Sequence, residues 1–210
     1  TMQNRILFGG LVLTAMIGLS SCSNTPTYKD KNASPYDRAV SIVKEMTLEE
    51  KVSLMRHEAA ELPRLGIKQY NWWNEALHGV ARAGKATVFP QPIGMAASFD
   101  NHLLFDVFTA VSDEARAKNQ EAKSQGPLKI YQGLTFWTPN VNIYRDPRWG
   151  RGHETYGEDP YLTGVMGTSV VRGLQGDNFE GGAYVGPNAQ KYYKLHACAK
   201  HYAVHSGPEW

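Results

Sequence analysis

A chain of 210 residues with 22 basic and 20 acidic side chains carries a formal charge of +2, mixed along its length rather than gathered in blocks. That balance supplies no electrostatic reason for a nucleic-acid partner or a polybasic membrane contact. Two cysteines leave no disulfide framework, so the fold must rest on a hydrophobic core.

In chain order, Arg5 precedes an uncharged apolar run, Ile6 to Leu19, which is too short for a permanent membrane span. It exits through Leu19-Ser20-Ser21-Cys22. A basic start, a short apolar middle and small residues at the exit describe a secretory signal. A cysteine placed there resembles the lipobox of bacterial lipoproteins, in which that residue becomes the lipidated first residue. Residues 1–22 are therefore expected to be a signal peptide, with Cys22 lipidated and the protein exported and membrane-anchored, periplasmic or on the cell surface. Residues 23–35 are polar and expected to be a flexible tether. Cys198, in the apolar run Leu195-His196-Ala197-Cys198-Ala199, reads as a buried small residue rather than a nucleophile.

Residues 36–210 are expected to fold. Ala39, Ile42, Val43 and Met46 make a helical stripe that begins near Pro35. Thr47-Leu48-Glu49-Glu50 is a capping box, predicting a second helix from Leu48 that buries Leu48, Val52 and Met55. Pro63 and Gly66 punctuate, and then a strand, loop and helix unit recurs. Strands are predicted at Ile67 to Trp72, Ile93 to Ala97, Thr135 to Asn142 and Tyr193 to Ala199. Helices are predicted from Leu103 to Lys118, capped by Asp100, and from Pro160 to Gly173. Alternating strands and helices imply parallel βαβ units, and chemistry clustered after the strands favours a barrel over an open doubly wound sheet. No glycine-rich phosphate fingerprint opens the first unit. A closed barrel needs eight units in about 250 residues. The expected fold is thus α/β, about half of a (β/α)8 barrel, and the chain reads as an N-terminal fragment.

The densest chemistry lies between Tyr144 and Pro160, where Arg, acids, Trp, Gly and Pro crowd into one run directly after a predicted strand. Glycines and prolines deny it any helical period. Charged, aromatic, Gly-rich loops at strand ends are where α/β folds place ligand chemistry. Two further constellations also follow predicted strands: Trp72-Trp73-Asn74-Glu75-Ala76-Leu77-His78-Gly79 and Lys200-His201-Tyr202. A carboxylate, guanidinium groups, an ammonium, an imidazole and indoles suit a polyhydroxylated ligand. Charged groups make strong hydrogen bonds to hydroxyls, and indole faces cover the C–H faces of a sugar ring. Arg145, Arg148, Glu154 and Asp159 are expected to form an internal ion-pair network. His201 and His205 stand four apart, with His196 nearby, but no Glu lies between them and no metal site or cofactor is expected.

These residues carry a family resemblance. MTLEEKV at 46–52, WWNEALHG at 72–79, FPQPIGMAASFD at 89–100, RDPRWGRGHETYGEDPYLTG at 145–164 and HACAKHY at 196–202 resemble, in order, the N-terminal part of a family 3 glycoside hydrolase. The bacterial β-xylosidase branch is the most similar. The resemblance implies a (β/α)8-type first domain and retaining, exo-acting hydrolysis of β-linked glycosides. It places Glu75, Arg151, Lys200 and His201 as substrate-binding residues around one terminal sugar. A retaining mechanism needs two carboxyl groups about 5–5.5 Å apart. In the family these lie on a later barrel strand and in a following domain. No catalytic residue is therefore assigned here, and this stretch alone is expected to be inactive. Glucosidases of the family commonly have Asp where this chain has Glu75, so the longer side chain is expected to crowd a hexose hydroxymethyl group and favour xylosides. A β-glucosidase and a non-catalytic glycan-binding lipoprotein remain the alternatives.

Overall fold

A computed structural model describes residues 26–180, 183–187, 192–202 and 205–208; the expected signal segment, residues 1–22, and Cys22 lie outside them. The chain divides into two compact units, residues 1–46 and 47–210.

In the first unit, the described end of the expected tether carries a 3-10 turn at Thr27–Lys29, and the Tyr28 carbonyl accepts from Arg38 Nε at 3.1 Å. Helix α1, Pro35–Glu45, starts as predicted, because Pro35 pre-sets the first turn and Ser34 Oγ accepts the Asp37 amide at 3.0 Å. None of its residues is fully buried.

In the second unit, α2 (Leu48–Ser53) begins at the predicted capping box. Thr47 Oγ1 accepts the Glu50 amide, and Glu50 Oε2 accepts the Thr47 amide at 2.9 Å. The expected burial of its apolar stripe is not observed: Leu48, Val52 and Met55 are 71%, 55% and 80% exposed. A capping box sets where a helix starts, not what its apolar face meets.

Strand β1 (Glu58–Ala59) pairs antiparallel with β2 (Tyr70–Asn71), so the first predicted strand is two residues long and turned against its neighbour. The second predicted strand, Ile93 to Ala97, is instead a helix, α3, Pro92–Ala96. A short apolar run has no decisive period, and Gly, Met and Ala lack the β-branched bulk that favours a strand, while Pro92 suits a first helical turn. Helix α4, Asn101–Gln125, is capped by Asp100, whose Oδ1 accepts the Leu103 amide at 2.9 Å. It outruns its predicted end because no residue breaks it before Gly126-Pro127. Strand β3 (Thr135–Phe136) precedes α5 (Pro160–Gln175), an antiparallel hairpin β4 (Asp177–Glu180) and β5 (Ala183–Pro187), and β6 (His196–Ala197).

The third and fourth predicted strands pair in parallel, as expected, with Thr135 opposite His196 and Phe136 opposite Ala197. Backbone bonds extend the contact past the named strands. The Lys200 amide donates to Pro139 O, and the Val141 amide to Lys200 O, both at 2.9 Å. Helices α4 and α5 cover this pair. Leu104, Phe108, Val111 and Ala115 meet Met166, Val170 and Leu174, with Phe136 and Leu195 beneath. The helices approach closely because Gly173 faces α4: a Cβ there would lie 2.7 Å from the Phe105 carbonyl oxygen. The second unit is thus an α/β fold whose parallel strand ends lead into residues 137–142 and 200–201.

Candidate functional site

Three stretches of chain surround one cavity of about 530 Å³: Trp73 to Arg82, Trp137 with Arg151 to Glu154, and Lys200-His201. Glu75, Arg151, Lys200 and His201 all line it, so the four residues singled out from sequence are brought together.

Asn74 organises the first stretch. It is buried; its Nδ2 donates to Thr135 O at 2.6 Å and its Oδ1 accepts the Gly133 amide at 2.9 Å. Its carbonyl accepts the Trp137 amide at 2.8 Å, which seats the segment beside β3. The chain then folds back, with the Ala81 amide donating to Glu75 O at 2.9 Å. This return needs Gly79: at φ 128° its absent Cβ leaves room for the Thr87 carbonyl. Trp73 Nε1 and Arg82 Nε each donate to the Glu75 carboxylate at 2.8 Å. Arg82 reaches it from a left-handed backbone, φ 58°, with its guanidinium 5.6 Å from the Tyr131 ring centre. Partial burial pushes the Glu75 carboxyl up, but those two hydrogen bonds and the charges of Arg82 and Lys200 outweigh it, leaving its pKa below the ordinary value. Glu75 therefore faces the cavity as an anion at neutral pH.

The second stretch is the charged loop. Buried Trp149 anchors it, and a 3-10 turn at Gly152–Glu154 presents Arg151. Arg151 grips Glu154 with two bonds, Nε to Oε1 at 3.0 Å and Nη2 to Oε2 at 2.7 Å, and its Nη1 meets His205 Nε2 at 3.3 Å. Asn140 Nδ2 also approaches Glu154, at 3.4 Å. Burial alone would raise the Glu154 carboxyl, yet Arg151 and Lys200 hold it below its usual range. The expected network among Arg145, Arg148, Glu154 and Asp159 does not form. Arg148 pairs with Asp146 at 2.7 Å, Arg145 donates to Ser206 Oγ at 3.0 Å, and Asp159 caps α5 through the Leu162 amide at 2.6 Å. Arg148, Asp146 and Asp159 are spent on their own turns, while Arg145 reaches across to Ser206.

The third stretch leaves β6. Lys200 is 6% exposed, and its Nζ lies 5.4 Å from the centre of the Trp137 ring. Burial pulls its pKa down and Arg151 adds to the fall, opposed by Glu154 and Glu75. Asn142 Oδ1 accepts both the His201 amide, at 3.1 Å, and ring Nδ1, at 2.7 Å. Burial, then Arg151, Lys200 and His205, bring the imidazole down to about 4 against the opposing charge of Glu154. Trp137 forms the floor, edge-on to Trp72 and Trp73 at 5.3 Å and to His201 at 6.0 Å. Cys198 lies outside the cavity. It is half-buried rather than buried, and burial raises its thiol pKa, which disfavours a thiolate.

Sequence reasoning did not single out Arg82 or Asn142, and it read Glu154 only as a loop charge. Asn140 and Asn142 carried a usable signal, since polar residues at i and i+2 of a strand share one face. Nothing in the spacing marks Arg82. Among the described residues, no group of three His, Cys, Asp or Glu side chains could hold a metal ion.

Anionic acceptors, guanidinium and ammonium donors and an indole floor give this cavity a lining whose chemistry suits a polyhydroxylated ligand. Residues 38–209 match the model of the glycosyl hydrolase family 3 N-terminal domain, and the chain belongs to that family. It is 53% identical over 202 residues to a xylan 1,4-β-xylosidase of Xylanibacter ruminicola, covering 95% of this chain and 22% of that protein. A probable β-D-xylosidase of Arabidopsis thaliana is 43% identical, with 82% and 22% coverage. Among solved structures, a family 3 exo-β-xylosidase bound to a xylobiose aziridine probe superposes with a TM-score of 0.62 at 35% identity, covering 88% of this chain and 23% of that one. A β-glucosidase from Erythrobacter marinus gives 0.54 at 25% identity, covering 85% and 27%. The chain thus spans about a fifth of the length of the curated relatives it matches.

Proposed function

We propose that these residues form the sugar-holding part of an exo-acting, retaining β-xylosidase that releases terminal xylose from β-linked xylo-oligosaccharides. The observation that carries this reading is the meeting of Glu75, Arg151, Lys200 and His201 around one cavity floored by Trp137. Glu75 accepts from sugar hydroxyls as a carboxylate, Lys200 and Arg151 donate to sugar oxygens, and the indole covers a pyranose face. None of the described carboxylates around this cavity is free for bond cleavage. Glu75 is held by Trp73 and Arg82, and Glu154 by Arg151. In this reading the nucleophile and the acid/base come from elsewhere in a longer protein, and residues 36–210 are the first part of its (β/α)8 barrel. A groove of about 610 Å³ beside α5, lined by Val141, Ile143, Val171, Gly164 and Gly167, fits a place where a further strand and helix would pack. Residues 1–22 would be a lipoprotein signal ending at Cys22, and residues 23–35 the spacer from the membrane.

Xylosides are favoured over glucosides because the Glu75 carboxylate is fixed at both ends of its reach. With Trp73 and Arg82 holding its two oxygens, it cannot swing aside for a hydroxymethyl group. Glu75→Asp in the full-length protein should raise turnover of an aryl β-glucoside relative to the matching β-xyloside. An unchanged ratio would refute the steric account.

A further inference from the structure

We propose that Asn142 is a positioning residue that fixes His201 as a hydrogen-bond acceptor toward the cavity, so that the subsite beside Lys200 selects a ligand hydroxyl able to donate. The polarity follows from one oxygen. The backbone amide of His201 can only donate, and it points at the same Asn142 side-chain atom as ring Nδ1, at 3.1 Å and 2.7 Å. That atom must be the amide oxygen, an acceptor, so Nδ1 must carry its hydrogen. In a neutral imidazole the other nitrogen, Nε2, then holds a bare lone pair. Among the described residues, Nε2 makes no hydrogen bond, and the ring lines the cavity.

Asn142 is itself held. It is buried, its amide donates to Asn140 Oδ1 at 3.1 Å, and Asn140 Nδ2 turns to Glu154 at 3.4 Å. The groups that act on the ring besides Asn142 are Arg151, Lys200, His205 and Glu154. Three are basic, so the surroundings favour the neutral ring. Next to it, Lys200 Nζ is a donor only. Together the two residues present a donor and an acceptor side by side. A sugar hydroxyl edge satisfies both, whereas a methoxy or fluoro group can accept from Lys200 but has nothing to give His201. A site with a fixed acceptor penalises a ligand that cannot pair with it.

The inference deepens the β-xylosidase reading and shares its substrate only for the kinetic test. In the full-length protein, Asn142→Asp keeps an acceptor beside Nδ1 but adds a negative charge that favours the imidazolium, which turns Nε2 into a donor as pH falls. The ratio of variant to native KM for an aryl β-xyloside should rise about tenfold between about pH 8 and about pH 5, with kcat moving less. Asn142→Ala should raise KM about tenfold with no pH trend in the ratio. A purely structural role predicts a flat ratio for both variants, and that result would overturn the proposal, as would an unchanged KM in Asn142→Ala. Native protein labelled with 15N-histidine supplies a measurement that needs no variant to fold. Two-bond proton–nitrogen correlation should show the Nδ1–H form for His201, and an Nε2–H form would overturn the proposal. If the native protein shows the Nδ1–H form but turns over no xyloside, the function of the site is wrong and the assigned polarity of His201 stands.

Discussion

Arg151 is only as useful as its aim, and Glu154 sets that aim. In Glu154→Gln the side chain keeps its shape but offers one oxygen, and it sets an amide NH2 against the guanidinium N–H that the second oxygen received. Removing one partner of a buried pair costs about 3–5 kcal/mol, and of an exposed pair about 0–1 kcal/mol. With side chains 31% and 18% exposed, this pair lies between those limits, and the loss is about 2 kcal/mol. Drawn wholly from ligand affinity, that is about a 30-fold rise in KM; drawn half from affinity, about fivefold. The assay is steady-state kinetics of the full-length protein on an aryl β-xyloside, for Glu154→Gln, Arg151→Ala and the double variant. If Glu154 acts through Arg151, the double variant should be little worse than Arg151→Ala, with a coupling of about 1 kcal/mol or more. Additive effects, or a KM within about twofold of native for Glu154→Gln, would refute the reasoning.

Gly173→Ala should lower the unfolding midpoint of the full-length protein. A helix interior gains about 1 kcal/mol from Ala over Gly, but the added methyl would sit 2.7 Å from Phe105 O and 3.1 Å from Thr109 N. Neither backbone atom yields cheaply, and overpacking costs about 1–3 kcal/mol; a raised midpoint would contradict the close α4–α5 packing. Stability should also fall in acid, and in a defined order. His201 is depressed from 6.5 to about 4, so between those values the unfolded chain binds the extra proton and stability drops as pH falls. Glu75 and Glu154 lie below their ordinary 4.5, so their contribution is present above that value and is lost as pH falls further, through their folded values. A Tm that holds or rises from about pH 6.5 to about pH 4.5 would count against this. On the proposal that Cys22 carries a lipid anchor, Cys22→Ala should leave the protein in the soluble fraction, and an unchanged membrane association would sink that proposal.

Helix starts were legible because they are local chemistry: Pro35 and Pro160 pre-set a first helical turn, while the Thr47 box and Asp100 accept amides three residues on. Strands were less so. Whether Ile93 to Ala97 curls or extends depends on what packs against it, and a run that short carries no period of its own. The exposed face of α2 makes the same point, since a stripe tells which side is apolar but not whether the fold reaches it. The site divides in the same way. Glu75, Arg151, Lys200 and His201 stood out through their motifs. Arg82 did not, because its role depends on a left-handed turn and on a loop that doubles back over Gly79. Asn142 did not, because its partner lies 59 residues away.

The way each site residue is steadied has a bearing on how relatives of this chain could exchange pieces. Glu75 is clamped by side chains within Trp73 to Arg82, and that segment is moored mainly to backbone atoms of Gly133, Thr135 and Trp137. A recombination breakpoint between 83 and 130 therefore keeps Trp73, Glu75 and Arg82 together, and asks of the other parent only an aromatic ring at 131 and a glycine at 133, where a Cβ would lie 3.0 Å from Asn74 Nδ2. A breakpoint between 155 and 195 is different. It separates His201 from Asn142, and Arg151 from His205, so it succeeds only where both parents already carry the same side chains at those positions. The cavity is thus tolerant of shuffling on one side and strict on the other.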